Sequence, residues 1–91
     1  MRVLVAEKIG ASGVELLREH FDVDEGEHLE RIDEYDGILI RSATKLTADV
    51  IERASRLKAI GRAGVGVDNV DVPAATKRGI VVANAPQSNV V

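Results

Sequence analysis

The chain has no cysteine, which excludes a disulfide framework and a thiolate metal site and fits a reducing compartment. Aromatic residues are almost missing: Phe21 and Tyr35 are the whole supply. Without rings to stack on bases, and with 12 basic against 15 acidic residues, nucleic-acid binding is disfavoured. No apolar run nears the roughly 20 residues of a membrane span, and the N-terminus lacks the charged-then-apolar layout of a signal peptide. A cytoplasmic protein without membrane contact is the expectation. There is no internal repeat, linker or low-complexity tract.

What is present is aliphatic. Hydrophobic residues make up 45% of the 91, chiefly Val, Ile, Leu and Ala, so the core has to be built from branched side chains as in a buried parallel sheet. A chain of this length makes one domain at most. It buries only about two-thirds of the surface its unfolded form exposes, so its stability margin is thin.

Short apolar runs alternate with stretches of helical spacing. Arg2 to Ala6 reads as a buried strand near the first residue. Ser12 and Glu15 have capping-box spacing, and Val14, Leu17 and Phe21 give the inward face of a first helix. Asp22-Val23-Asp24 is a weak strand, followed by a brief helix with Leu29 and Ile32 inward. Gly37 to Ile40 is strongly β-prone, and Thr47 is placed to cap a helix carrying Val50, Ile51, Ala54 and Leu57. Leu57 to Ile60 is a fourth strand, Asp71 caps a short helix through Ala74 and Ala75 for which Lys77-Arg78-Gly79 supplies the favoured C-terminal charges and a C′ glycine, and Ile80 to Ala83 is a fifth strand. This β-α alternation predicts an α/β fold: a flavodoxin-like five-stranded parallel sheet in the order 2-1-3-4-5 with right-handed crossovers. The plan wants a closing helix after strand five, and none is encoded, so one sheet face is expected to lie partly bare.

In open α/β sheets, ligands bind beyond the carboxyl ends of the strands. Arg41-Ser42-Ala43-Thr44 follows strand three, and Arg62-Ala63-Gly64-Val65-Gly66-Val67-Asp68 follows strand four. Taken singly, Arg41 reads as a solvated strand-end charge and the glycines as a tight turn. Two arginines on neighbouring strand ends, each followed by small residues, favour a grip on a small anion: a guanidinium fork beside backbone N–H groups. The glycine spacing does not fit the dinucleotide fingerprint G-x-G-x-x-G, and no phosphate-binding Gly-Lys-Ser/Thr occurs. Glu7 and Lys8 follow strand one at the same edge and could contribute there, but make no supported acid–base pair. His20 and His28 read as surface residues, and no cluster suggests a metal. Nothing here transfers a hydride or activates a nucleophile, so no catalytic residue is assigned.

The run IRSATKLTADV from Ile40 to Val50, followed by GRAGVGVDNVDVPAATKRGIVVANAPQSN from Gly61 to Asn89, closely resembles the D-2-hydroxyacid dehydrogenase family, in particular its branch acting on 3-phosphoglycerate. The resemblance implies a partial substrate-binding domain over residues 1–91, with the NAD-binding domain and the catalytic residues elsewhere. NAD is then the cofactor of the parent enzyme and is not expected on this chain alone. By motif, Arg41 and Ser42 would meet the phosphate of a 3-phosphoglycerate-like anion, bound weakly. Arg62, with the backbone of Ala63 and Gly64, would face its carboxylate. Val65 and Gly66 would approach the nicotinamide, and Asn89 would enter the cleft from the hinge. Two departures stand out: the stretch from Asp24 to Glu34 is short, and the family's closing helix returns from the far end of the chain.

Two other readings compete. One is a piece that folds and assembles without ligand, as a homodimer through the bare sheet face. The other is a freestanding flavodoxin-like module. A phosphoacceptor module would want acids where Arg41 and Ser42 stand.

Overall fold

Alternation of side chains along each strand sorts the apolar residues onto two faces, and the computed structural model assigns each face its own cover. It describes residues 1–8, 11–63 and 69–85. The elements in order are β1 (Arg2–Val5), α1 (Ala11–Arg18), β2 (Asp22–Glu25), a 3-10 helix (Leu29–Glu34), β3 (Gly37–Ile40), α2 (Ala48–Arg53), β4 (Ala59–Ala63), α3 (Val72–Lys77) and β5 (Val81–Ala85). All neighbouring strands are parallel, in the order β2-β1-β3-β4-β5. Every crossover therefore carries a helix, as parallel pairing requires.

One face holds the main core. Leu4, Ile38, Ile40 and Ile60 meet Ile32 and Tyr35 from the 3-10 segment, Ile51 and Ala54 from the α2 region, and Ala75 from α3. Tyr35 is fully buried despite its hydroxyl, because that hydroxyl donates to Asp24 Oδ2 at 2.6 Å. The Arg2 guanidinium lies 5.0 Å from the Tyr35 ring centre and also bonds Asp24 and Glu34. The short second helical segment is thus a 3-10 element, kinked at Arg31, that an ionic cluster ties to β1 and β2.

The helix termini follow the sequence in part. The Asp71 carboxylate accepts from the Ala74 N–H at 3.1 Å, closing the start of α3 as expected. Gly79 takes φ +73° just past its end, a conformation that favours glycine. Thr47 stands at the start of α2 in extended conformation but makes no side-chain cap. Arg78, expected to serve the end of α3, instead donates to the Ile51 and Glu52 carbonyls at the end of α2. Ser12 lies within α1 rather than before it.

The opposite face has one helix among the described residues. Val3, Val5, Val14 and Val23 form a small second core there, with Leu17 and Leu39 packed against it. Since α1 ends at Arg18, Phe21 is not on its inward face: it stays 36% exposed at the rim of an open groove. That groove, about 240 Å³, runs across β3, β4 and β5 between Met1, Phe21, Leu39, Val81 and Ala83. Its lining is apolar apart from Asp36, and Val81 is 64% exposed.

Candidate functional site

At the carboxyl edge of the sheet the backbone must stop pairing with strands, so its N–H and C=O groups need other partners. The loop after β3 finds both kinds in two side chains. Glu7, just beyond β1, accepts from the Arg41 N–H at 2.6 Å, the Thr44 N–H at 2.9 Å and the Ala43 N–H at 3.1 Å. Burial pushes the Glu7 carboxyl upward, but the Arg41 bond and the Thr44 and Ala43 bonds outweigh it and hold the pKa below its ordinary value. Glu7 is therefore a fixed carboxylate occupying the loop's own donors, as at other sites where N–H groups converge on an anion.

Asn69 holds the same loop from its acceptor side. Its Nδ2 donates to the Arg41 carbonyl at 2.6 Å and to the Thr44 carbonyl. Its Oδ1 accepts from Arg62 Nε at 2.6 Å. The backbone beside it is anchored by a parallel bridge, Leu46 to Val70, with the Leu46 N–H on the Asn69 carbonyl at 2.8 Å and the Asp71 N–H on the Leu46 carbonyl at 2.9 Å. Leu46 and Val70 are both buried, so the bridge is sealed from water.

The two arginines come to one edge by register: Arg62 pairs with Ile40, the residue before Arg41. Their side chains are placed differently. Arg62 shares the face of Ile60 and reaches Asn69, whereas Arg41 is exposed and its guanidinium approaches the Lys8 carbonyl at 3.5 Å. Ser42 is exposed between the bonds made by its neighbours, and no hydrogen bond to it is found among the described residues. The Ala63 backbone closes β4 opposite Ala85. Gly64, Val65, Gly66 and Asn89 lie outside the described residues.

Gly61 lies within β4, where a Cβ would come 2.5 Å from Leu39 Cδ2, so this glycine serves the packing of the sheet. No group of three or more metal-ligating side chains occurs among the described residues, and none of the described helices is long and apolar enough to cross a membrane.

Glu7 is legible in the sequence as a residue of this edge but not as the acceptor of the loop's N–H groups, and Asn69 carries no local signal beyond following the glycine-rich run.

Residues 3–91 match the family model described as D-isomer specific 2-hydroxyacid dehydrogenase, catalytic domain. D-3-phosphoglycerate dehydrogenase from Synechocystis sp. is 49% identical over 96 residues, covering 99% of this chain and 17% of that protein. The enzyme of the same name from Methanocaldococcus jannaschii is 45% identical, covering 98% of this chain and 18% of that protein. Among solved structures, a Pyrococcus horikoshii protein superposes with a TM-score of 0.88 at 37% identity, over 92% of this chain and 27% of the other. An NAD+-bound 3-phosphoglycerate dehydrogenase from Entamoeba histolytica gives 0.79 at 28% identity, over 92% of this chain and 32% of the other. The chain thus spans less than a fifth of the curated relatives named here.

Proposed function

We propose that this chain, which belongs to the D-isomer specific 2-hydroxyacid dehydrogenase family, is the substrate-side part of a D-3-phosphoglycerate dehydrogenase. The parent reaction would be NAD-dependent oxidation of 3-phosphoglycerate to 3-phosphohydroxypyruvate, at the opening of serine biosynthesis in the cytoplasm. Residues 1–91 would form part of the substrate-binding domain. The NAD-binding domain and the groups that move hydride and proton would lie in the remainder of a longer protein.

The observation that carries this reading is the convergence of Arg41, Ser42 and Arg62 on one sheet edge, with the Arg41 loop and the Arg62 side chain tied to the same asparagine. Arg41 and Ser42 would take the phosphate, where a planar fork and a hydroxyl suit its oxygens. Arg62, with the backbone of Ala63 and Gly64, would take the carboxylate. Val65 and Gly66 would face the nicotinamide and Asn89 the hinge side of the cleft.

Titration of the chain with 3-phosphoglycerate, followed by amide shifts in NMR, tests this. Residues 41–44 and 62–63 should move together along one binding curve. Silence of both segments at millimolar ligand would remove the reading.

The open groove supports a second proposal for the isolated chain: self-association through the β3–β5 face. Aliphatic surface exposed in one patch favours a second copy as its cover.

A further inference from the structure

Three features lie outside the proposed ligand contacts: the groove on the α1 face, the Arg2–Asp24–Tyr35 cluster, and Asn69. The groove is already assigned to self-association. The cluster is internally satisfied, with Tyr35 and Arg2 both on Asp24. Asn69 remains, and its bonds run toward the site from outside it.

We propose that Asn69 is a positioning residue that couples Arg62 to the Arg41–Thr44 loop, so that the two cationic ends of the site are held at one fixed separation. The inference rests on the anion-site reading above and adds to it the element that sets the site's geometry. Three facts carry it. Both ends of one carboxamide are used: the oxygen on Arg62 and the nitrogen on the carbonyls of Arg41 and Thr44. A planar amide holds its oxygen and nitrogen in fixed relation, so the Arg62 position and the loop position cannot vary independently while these bonds persist. The backbone that carries this amide is anchored by the bridge between Leu46 and Val70, with the Leu46 N–H on the Asn69 main-chain carbonyl.

The loop has a second anchor in Glu7, which takes the N–H groups of Arg41, Ala43 and Thr44. Donors held on one side and acceptors on the other leave Ser42 as the loop residue whose hydroxyl and N–H are open to a ligand among the described residues. Glu7 shapes the loop. Asn69 relates the loop to Arg62. An Asn→Asp change keeps an acceptor for Arg62 but replaces the donor that faces two carbonyls by a negative oxygen, so it separates the two halves of the role.

The test compares the wild-type chain with Asn69→Ala and Asn69→Asp, reading amide shifts and the Arg62 Nε–H resonance during 3-phosphoglycerate titration. In the wild type the Nε–H should be protected from exchange before ligand is added and should shift with Ser42 and Ala43. In Asn69→Ala the protection should be lost and affinity should fall about tenfold, the scale of one hydrogen bond to a charged group, with the dispersion of the sheet amides unchanged. In Asn69→Asp the Nε–H should stay protected while the Ser42 to Thr44 amides move and affinity falls.

A folded Asn69→Ala chain binding with wild-type affinity overturns the role of Asn69 and leaves the anion site standing. If Asn69→Ala does not fold, Asn69→Asp decides: unmoved Ser42 to Thr44 amides with unchanged affinity overturn the proposal. A wild type that ignores the ligand overturns the site and this inference with it.

Discussion

Arg62 Nε lies 2.6 Å from the Asn69 side-chain oxygen, and the nitrogen of the same carboxamide lies 2.6 Å from the Arg41 carbonyl. The two arginine strand ends are therefore joined by one planar group rather than merely adjacent. The loop between them is held from its donor side by Glu7, and that division of labour leads to the first prediction.

Glu7→Gln should loosen the Arg41–Thr44 loop. The carboxylate accepts through both oxygens, and glutamine would turn an N–H₂ toward at least one N–H donor. A loss of about 1–3 kcal/mol is expected. Denaturant midpoints would measure it, and amide exchange should speed at Arg41, Ala43 and Thr44 while the β1–β3 ladder stays protected.

Acid should destabilise the fold through the same residue and Asp36. A hydrogen bond from the Arg2 N–H at 2.9 Å, set against burial and helped by Arg56, holds the Asp36 carboxyl below its ordinary 3.8. Glu7 is likewise below its ordinary 4.5. A carboxyl whose folded pKa is depressed gives stability that is complete above the unfolded value and is lost as pH falls through the folded one. The contribution of these two carboxylates should thus be complete above about pH 5 and be lost progressively below about pH 4.5, with Asp36→Asn showing a shallower acid limb. An identical limb in the variant would exclude Asp36 as a contributor.

Tyr35→Phe removes the hydroxyl that donates to Asp24 and leaves the buried ring in place beneath Arg2. Asp24 keeps its Arg2 partner, so the cost should be modest, about 0.5–1.5 kcal/mol in thermal or denaturant unfolding. A loss several times larger would mean that the 3-10 segment depends on this one bond to dock.

Val81→Glu tests the open groove. The residue is 64% exposed on β5, so a charge there should not disturb the core but should oppose a second copy on the same face. Light scattering should show a concentration-dependent dimer for the parent chain and a monomer for the variant. A parent chain that stays monomeric at every concentration would end the self-association proposal.

Much of the architecture was legible from residue order alone. Gly37 to Ile40 formed the strand its β-branched and aliphatic run called for, Asp71 capped α3 with its side chain, and the order 2-1-3-4-5 followed from helix-separated strands. These are local signals, or rules of chain connection that act on local signals. The strand bounds moved by one to three residues: β4 runs from Ala59 to Ala63 instead of Leu57 to Ile60, which takes Arg62 into the strand, and β5 from Val81 to Ala85 instead of Ile80 to Ala83.

The presence of arginines at two ligand-edge strand ends was likewise a property of sequence, since strand, turn and edge were each readable. Their relation was not. Arg41 and Asn69 stand 28 residues apart, and Glu7 meets the loop across 34 to 37. A hydrogen bond at that separation leaves no spacing in the chain; it exists because parallel register sets β1 beside β3 and β3 beside β4. The same holds for Tyr35, buried because Asp24 on β2 receives its hydroxyl, and for Phe21, left at a groove rim because α1 stops three residues before it. Sequence determined which chemistry reaches the sheet edge, and tertiary structure decided which groups hold it there, because long-range polar pairing depends on strand register and not on neighbours in the chain.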